Sequence, residues 1–176
     1  MIESIFQDED LRTVSEALDI AEDRTGDFFR FSLEQWKRHR YDVKTLLTLN
    51  IDEITHNAFA LLNKYSEPVN IVEPKSRKSD FYFICIQDHQ IAKALRRDKE
   101  LRLFPLLIYI FTHELIHIIR FCDFSQRFEA TGKNRQEEEK VVHSMTFNIL
   151  KNLSLPEMGY VLKAYGNHRI CEIVTF

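Results

Sequence analysis

Glycine and proline are scarce. The chain has four of each in 176 residues, which excludes long structureless stretches and leaves most of the length to regular elements. Cysteine is scarcer still: Cys85, Cys122 and Cys171 are odd in number and share no paired spacing. A disulfide framework is therefore not expected, and the three read as small core residues of a protein kept in a reducing compartment. No charge of one sign dominates, with 24 Lys and Arg against 27 Asp and Glu and a net charge of −3. Without a basic surplus, nucleic acid is not an expected partner. The first ten residues are acidic and lack the apolar run of a secretory signal. Repeats, low-complexity tracts and Pro/Gly-rich linkers are missing too, so 1–176 is read as a single cytoplasmic domain.

What is plentiful is apolar bulk. Hydrophobic residues make up 44% of the chain beside 29% charged, and fourteen Phe imply a core filled largely by aromatic rings. Leu103 to Phe121 is apolar almost throughout and long enough to cross a bilayer. It also carries His113, Glu114 and His117, which are expensive at membrane depth. The expectation is a helix buried in a protein core, with no membrane span.

Periodicity predicts a helix over Asp8 to Arg24, with Leu11, Val14, Leu18 and Ala21 on one face, broken by Thr25-Gly26-Asp27. Further helices are predicted over Phe28 to Arg40 and over Val43 to Tyr65, the latter from Leu46, Leu47, Ile51, Ile54, Ala58, Leu61 and Leu62. Pro68 to Pro74 suits a short strand, Lys75 to Asp80 a charged turn, and Phe81 to Gln87 a strong strand, the two strands forming a hairpin. Ile91 to Glu100, Pro105 to Phe121, Asn134 to Leu153 and Pro156 to Tyr165 read as helices, with Cys122 to Lys133 as a connection. The buried stripe of the third is Val142, Met145, Ile149 and Leu153, and Ile170 to Phe176 is an extended tail. The expected fold class is α+β and mostly helical, with a small β-sheet or hairpin. Residues 1–66 would be a helical N-terminal part and 67–176 the core that holds the chemistry.

That chemistry lies in His113-Glu114-Leu115-Ile116-His117. Residues i and i+4 share a helix face, so two imidazoles converge on one point, as a tetrahedral zinc requires of a rigid support. Glu114 is rotated out of the ligand pair, where it can take a proton from a metal-activated water. Seven His and sixteen Glu in this chain would produce the pattern by chance roughly 2–3% of the time. Burying two His and a Glu in so apolar a helix is costly unless they are paired or bind a metal. A third ligand must come from elsewhere. In Gln136-Glu137-Glu138-Glu139-Lys140-Val141-Val142-His143, Glu139 and His143 are again i and i+4, so both can turn toward the metal helix. Glu137 and Glu138 read as a solvated first turn.

A His-Glu-x-x-His helix followed by a glutamate on the next helix resembles the gluzincin zinc metallopeptidases, and within them the ImmA/IrrE-type and prenyl-protein endopeptidase groups. Their Glu-x-x-Ala-Asn/Asp-x-Phe-Ala stretch, laid on this chain, puts the metal glutamate on Glu139, the small apolar residue on Val142, the Asn/Asp on His143, the Phe on Met145 and the Ala on Thr146. The resemblance covers about His113 to Leu150, a fifth of the chain. It departs at Ile116, where members carry Gly, Ala or Thr, and at His143, an alternative third or fourth ligand or an orienting neighbour of the ligands. It implies a zincin-like core, a Zn2+ held by His113, His117 and Glu139, Glu114 as general base, and a peptide or protein as substrate. The competing expectation is a zinc-containing regulatory or binding protein with little or no protease activity, favoured if His143 closes a four-ligand site.

Other residues carry expectations of their own. The resemblance also implies an edge strand ahead of the motif helix for an extended substrate, a place that Phe81 to Gln87 could fill. Tyr160, Tyr165 and His168 are of types that stabilise an oxyanion. Asp123 and Glu129 are candidate carboxylates behind the ligands. His39, His56 and His89 read as surface histidines, and Lys93, Arg96, Arg97, Lys99 and Arg102 as a solvated basic face.

Overall fold

The computed structural model describes residues 5–66, 80–123, 132–167 and 171–175. Three acids, Asp8, Glu9 and Asp10, occupy the positive end of the first helix, α1 (Asp8–Phe29), and Asp10 accepts the Gln7 backbone N–H at 2.9 Å. The helix runs straight through the Thr25-Gly26-Asp27 break expected from the sequence and ends at Arg30, in the left-handed region. Gly26 serves close packing instead, because a Cβ there would lie 2.9 Å from Trp36 Nε1. Of the helix expected over 28–40, only α2 (Leu33–Trp36) forms beyond the end of α1.

The helix expected over 43–65 does not form. That stretch holds β1 (Tyr41–Lys44), a single 3-10 turn (Ile51–Glu53) and β2 (Ala60–Ser66). With β3 (Asp80–Ile86) and the C-terminal β4 (Cys171–Thr175) they make a mixed sheet in the order β1-β3-β2-β4. β2 runs antiparallel to β3, pairing Leu62 with Ile84, while β1 on β3 and β4 on β2 are parallel. Within the tail expected at 170–176, Cys171–Thr175 is thus a sheet strand. The hairpin partner expected at 68–74, like most of the charged turn before β3, lies outside the described residues. β3 is a central strand rather than an edge, which removes it as a docking strand; β1 and β4 are the edges among the described residues.

Among the described residues four helices lie between β3 and β4: α3 (Asp88–Arg97), α4 (Leu103–Cys122), α5 (Gly132–Leu150) and α6 (Met158–Tyr165). Every residue of α4 from Pro105 to Ile119 is buried. The bilayer-length segment is therefore a core helix, apolar all round because it is covered all round. α1, α5 and α6 pack on it, and Phe121 stacks on Tyr82 of β3 with ring centroids 6.0 Å apart. The structure is α+β and mostly helical, with a small sheet. A boundary at 66/67 would cut between β2 and β3, neighbours in one sheet.

Candidate metal centre

α4 sets the frame. Its buried face carries His113 and His117 one turn apart, with Nε2 atoms 3.2 Å from each other. Glu139 reaches across from α5 and straddles them, Oε2 lying 3.3 Å from His113 Nε2 and Oε1 3.2 Å from His117 Nε2. Ligands of a tetrahedral zinc, with bonds of about 2.0–2.1 Å, stand roughly 3.3 Å apart. The donor set of two imidazoles and a carboxylate is also one that zinc accepts. The three residues fit the ion.

Their protonation states fit it as well. Burial is the largest influence on His113 and pushes its pKa down to about 4, against the pull of Glu139 and with the repulsion of His117. Burial raises Glu139, but the hydrogen bonds and charges of the two histidines outweigh it and hold the carboxyl well below its usual range. At neutral pH a neutral His113 therefore faces an ionised Glu139, the forms in which both bind metal. Nδ1 of His113 is buried and has no hydrogen-bond partner among the described residues.

Glu114 is fully buried beside the pair. It lies close enough to Cys85 on β3 to add, after burial and Glu53, to the forces that push that thiol up to about 12. Cys85 and Cys122 are free thiols, the first buried and the second half-buried. His143 adjoins the centre: its ring centroid is 4.6 Å from that of His113, and its Nδ1 shares a 2.8 Å hydrogen bond with the Tyr109 hydroxyl. Burial, then the charge of Glu139, pushes the Tyr109 pKa up, so the phenol stays protonated. One donor atom each of His113, Glu139 and His143 lies within 4.8 Å of the others, so His143 stands within reach of the same centre.

The remaining candidates go elsewhere. Tyr160 and Tyr165 both donate to Asp98 Oδ2, at 2.7 and 2.9 Å, at the end of α3. Asp123 is exposed and sits 3.9 Å from His39 Nε2, while His168 and Glu129 lie outside the described residues. His39 is not a surface residue. It is buried, 2.7 Å from the Gln35 carbonyl oxygen and packed on Phe31 and Trp36. His56 and His89 meet, with Nδ1 and Nε2 3.3 Å apart. Arg96, Arg97, Lys93, Lys99 and Arg102 are exposed, as a solvated basic face requires. Glu137 is exposed beside Lys133, but Glu138 is engaged by Arg120 of α4 through a two-point ion pair. A groove lined by Trp36, Tyr41 and Phe81 runs beside β1, and none of its lining residues belongs to the histidine cluster.

Sequence reading missed Tyr109, Arg120 and the engagement of Glu138. The signal was present: 109, 113, 117 and 120 fall at helical spacing on one face of α4. Comparison with protein-family models, curated proteins and solved structures finds no match for this chain.

Proposed function

We propose that this protein is a zinc-dependent metallopeptidase of gluzincin type, acting on a peptide or protein, with a zincin-like core built from the sheet, α4 and α5. The observation that carries the reading is the position of Glu139, one carboxylate oxygen toward each of two histidine nitrogens. The resemblance of the α4 and α5 motifs to the ImmA/IrrE-type and prenyl-protein endopeptidase groups assigns that glutamate the same place. His113, His117 and Glu139 hold the ion, leaving His143 outside the ligand set. Zinc supplies Lewis-acid chemistry, polarising a scissile carbonyl and making a water acidic enough to lose a proton near neutrality. Glu114 accepts that proton and returns it to the leaving amine. Its burial favours the transfer by excluding competing water, and the helix fixes its direction.

Glu114→Gln is the test. The variant should bind zinc as the wild type does and lose about 10²-fold or more of peptide hydrolysis, read by zinc analysis and by cleavage of an unfolded protein substrate. Cleavage at the wild-type rate would sink the mechanism. A second reading, a zinc-containing regulatory or binding protein, draws on the full burial of His113, Glu114 and His117. Stoichiometric zinc in a wild-type protein that cleaves no peptide would select it.

A further inference from the structure

α5 crosses α4 antiparallel, and three polar rungs join them. Tyr109 meets His143, His113 and His117 meet Glu139, and Arg120 meets Glu138. The helix is anchored unevenly. Its buried residues are Val142, Thr146, Ile149 and Leu150, and none of residues 132–141 is buried. Apolar packing therefore fixes the second half of α5, while the turn that carries Glu139 is held to α4 by polar contacts.

We propose that the Arg120–Glu138 ion pair is the positioning device that holds Glu139 over His113 and His117 before metal arrives. The proposal rests on the triad being a metal site but not on peptide hydrolysis. The pair has the geometry for the task. Arg120 Nη2 lies 3.1 Å from Glu138 Oε2 and its Nε bonds the other oxygen, so the guanidinium grips the carboxylate at two points. The side chains are only 19% and 13% exposed, so salt screens them far less than it screens the surface pair Lys133–Glu137, whose side chains are 87% and 60% exposed. Fixing residue 138 fixes the axial position and the rotation of its turn, and residue 139 follows at a set 100° around the helix. Arg120 is three residues past His117, so one rigid element carries both the ligand pair and the grip that aligns the third ligand. Without the grip, zinc binding would have to supply the ordering of this turn, and affinity would fall.

Zinc affinity of the full chain, measured by competition with a chromophoric chelator, tests this directly. Arg120→Ala and Glu138→Gln should each bind zinc about 10–100-fold more weakly than wild type. The exchanged pair Arg120→Glu with Glu138→Arg should recover most of the loss, and Lys133→Ala should bind as wild type does. Hydrogen exchange of amides 132–139 in the zinc-free protein should speed up in the single variants and slow again at saturating zinc. Folded single variants that bind zinc within about twofold of wild type would overturn the proposal. Should they fail to fold, Arg120→Lys keeps the charge without the two-point grip, and unchanged affinity there overturns it equally. A wild type that takes up zinc without cleaving peptides sinks only the hydrolase reading. A wild type that binds no zinc sinks both.

Discussion

Asp88 holds two distant segments on one carboxylate. Its Oδ2 accepts the Phe6 N–H at 3.0 Å and its Oδ1 the Leu46 N–H at 3.1 Å. Burial pushes its pKa up, and these amides pull against that. Gln87 beside it accepts the Thr55 N–H and donates to the Glu53 carbonyl, and His89 contacts the Thr55 carbonyl at 3.0 Å. Asp88→Ala leaves the buried Phe6 amide without its acceptor and frees the half-buried Leu46 amide, which should destabilise the fold by on the order of 1–3 kcal/mol, mostly through Phe6. Asp88→Asn keeps one acceptor and should lose less. Urea unfolding at pH 7 measures both, and an alanine variant within about 0.5 kcal/mol of wild type would refute the role. None of this was legible in the sequence, because the partners lie 82, 42 and 32 residues away along the chain. The histidine pair was legible for the opposite reason: its geometry is local, fixed by the helix that carries it. Glu139 was legible from its i, i+4 spacing to His143, and the family pattern then preferred it to its neighbours; its grip by Arg120 required the packing of α4 on α5.

At the scale of elements, legibility followed length and composition more than periodicity. α4 was clear from its length and apolar content, and β3 from its aromatic and β-branched run. β2 was misread because it lies inside the sheet with Ala60, Leu61, Leu62 and Asn63 all buried, so it shows no alternation. The apparent helical spacing upstream was accidental, since Leu47 and Ile51 are 69% and 91% exposed. Gly26 misled differently. A glycine inside a helical pattern reads as a break, but here it makes room for a ring on the next element. Gly26→Ala gains about 1 kcal/mol of helix propensity and meets Trp36 at 2.9 Å. Trp36 is held edge-on by Phe31, with centroids 5.3 Å apart. The clash should win, giving a net loss of about 1 kcal/mol. In a Trp36→Leu background the same substitution should become stabilising. Thermal unfolding of the four proteins in this cycle decides, and stabilisation by Gly26→Ala in the wild-type background would refute the packing role.

The molecule as a whole ties the N-terminal part, 1–66, to the core that follows it. β2, from that N-terminal part, lies between β3 and the C-terminal β4, and one buried cluster runs from Phe6 to Tyr165 around α4. Asp98 makes a polar counterpart to that core, joining the α3–α4 junction to α6 through Tyr160 and Tyr165. The Tyr160 hydrogen bond is the largest influence on it. With the Tyr165 hydroxyl and the Glu100 and Leu101 amides, this bond overcomes the opposing effect of burial and lowers the carboxyl pKa. A carboxyl whose folded pKa lies below its unfolded value of about 3.9 stabilises the fold above that value. The contribution is lost as pH falls through the folded pKa, because the unfolded state takes up the proton first. Asp98→Asn keeps an acceptor for the tyrosines but not the charge. The stability difference between wild type and variant should therefore hold steady from pH 7 to about pH 5, then shrink below about pH 4 and close at lower pH. Urea unfolding across that range measures it. A difference independent of pH would mean that the tyrosines gain nothing from the ionised carboxylate, and that α6 is held to the core by Val161 and its apolar neighbours alone.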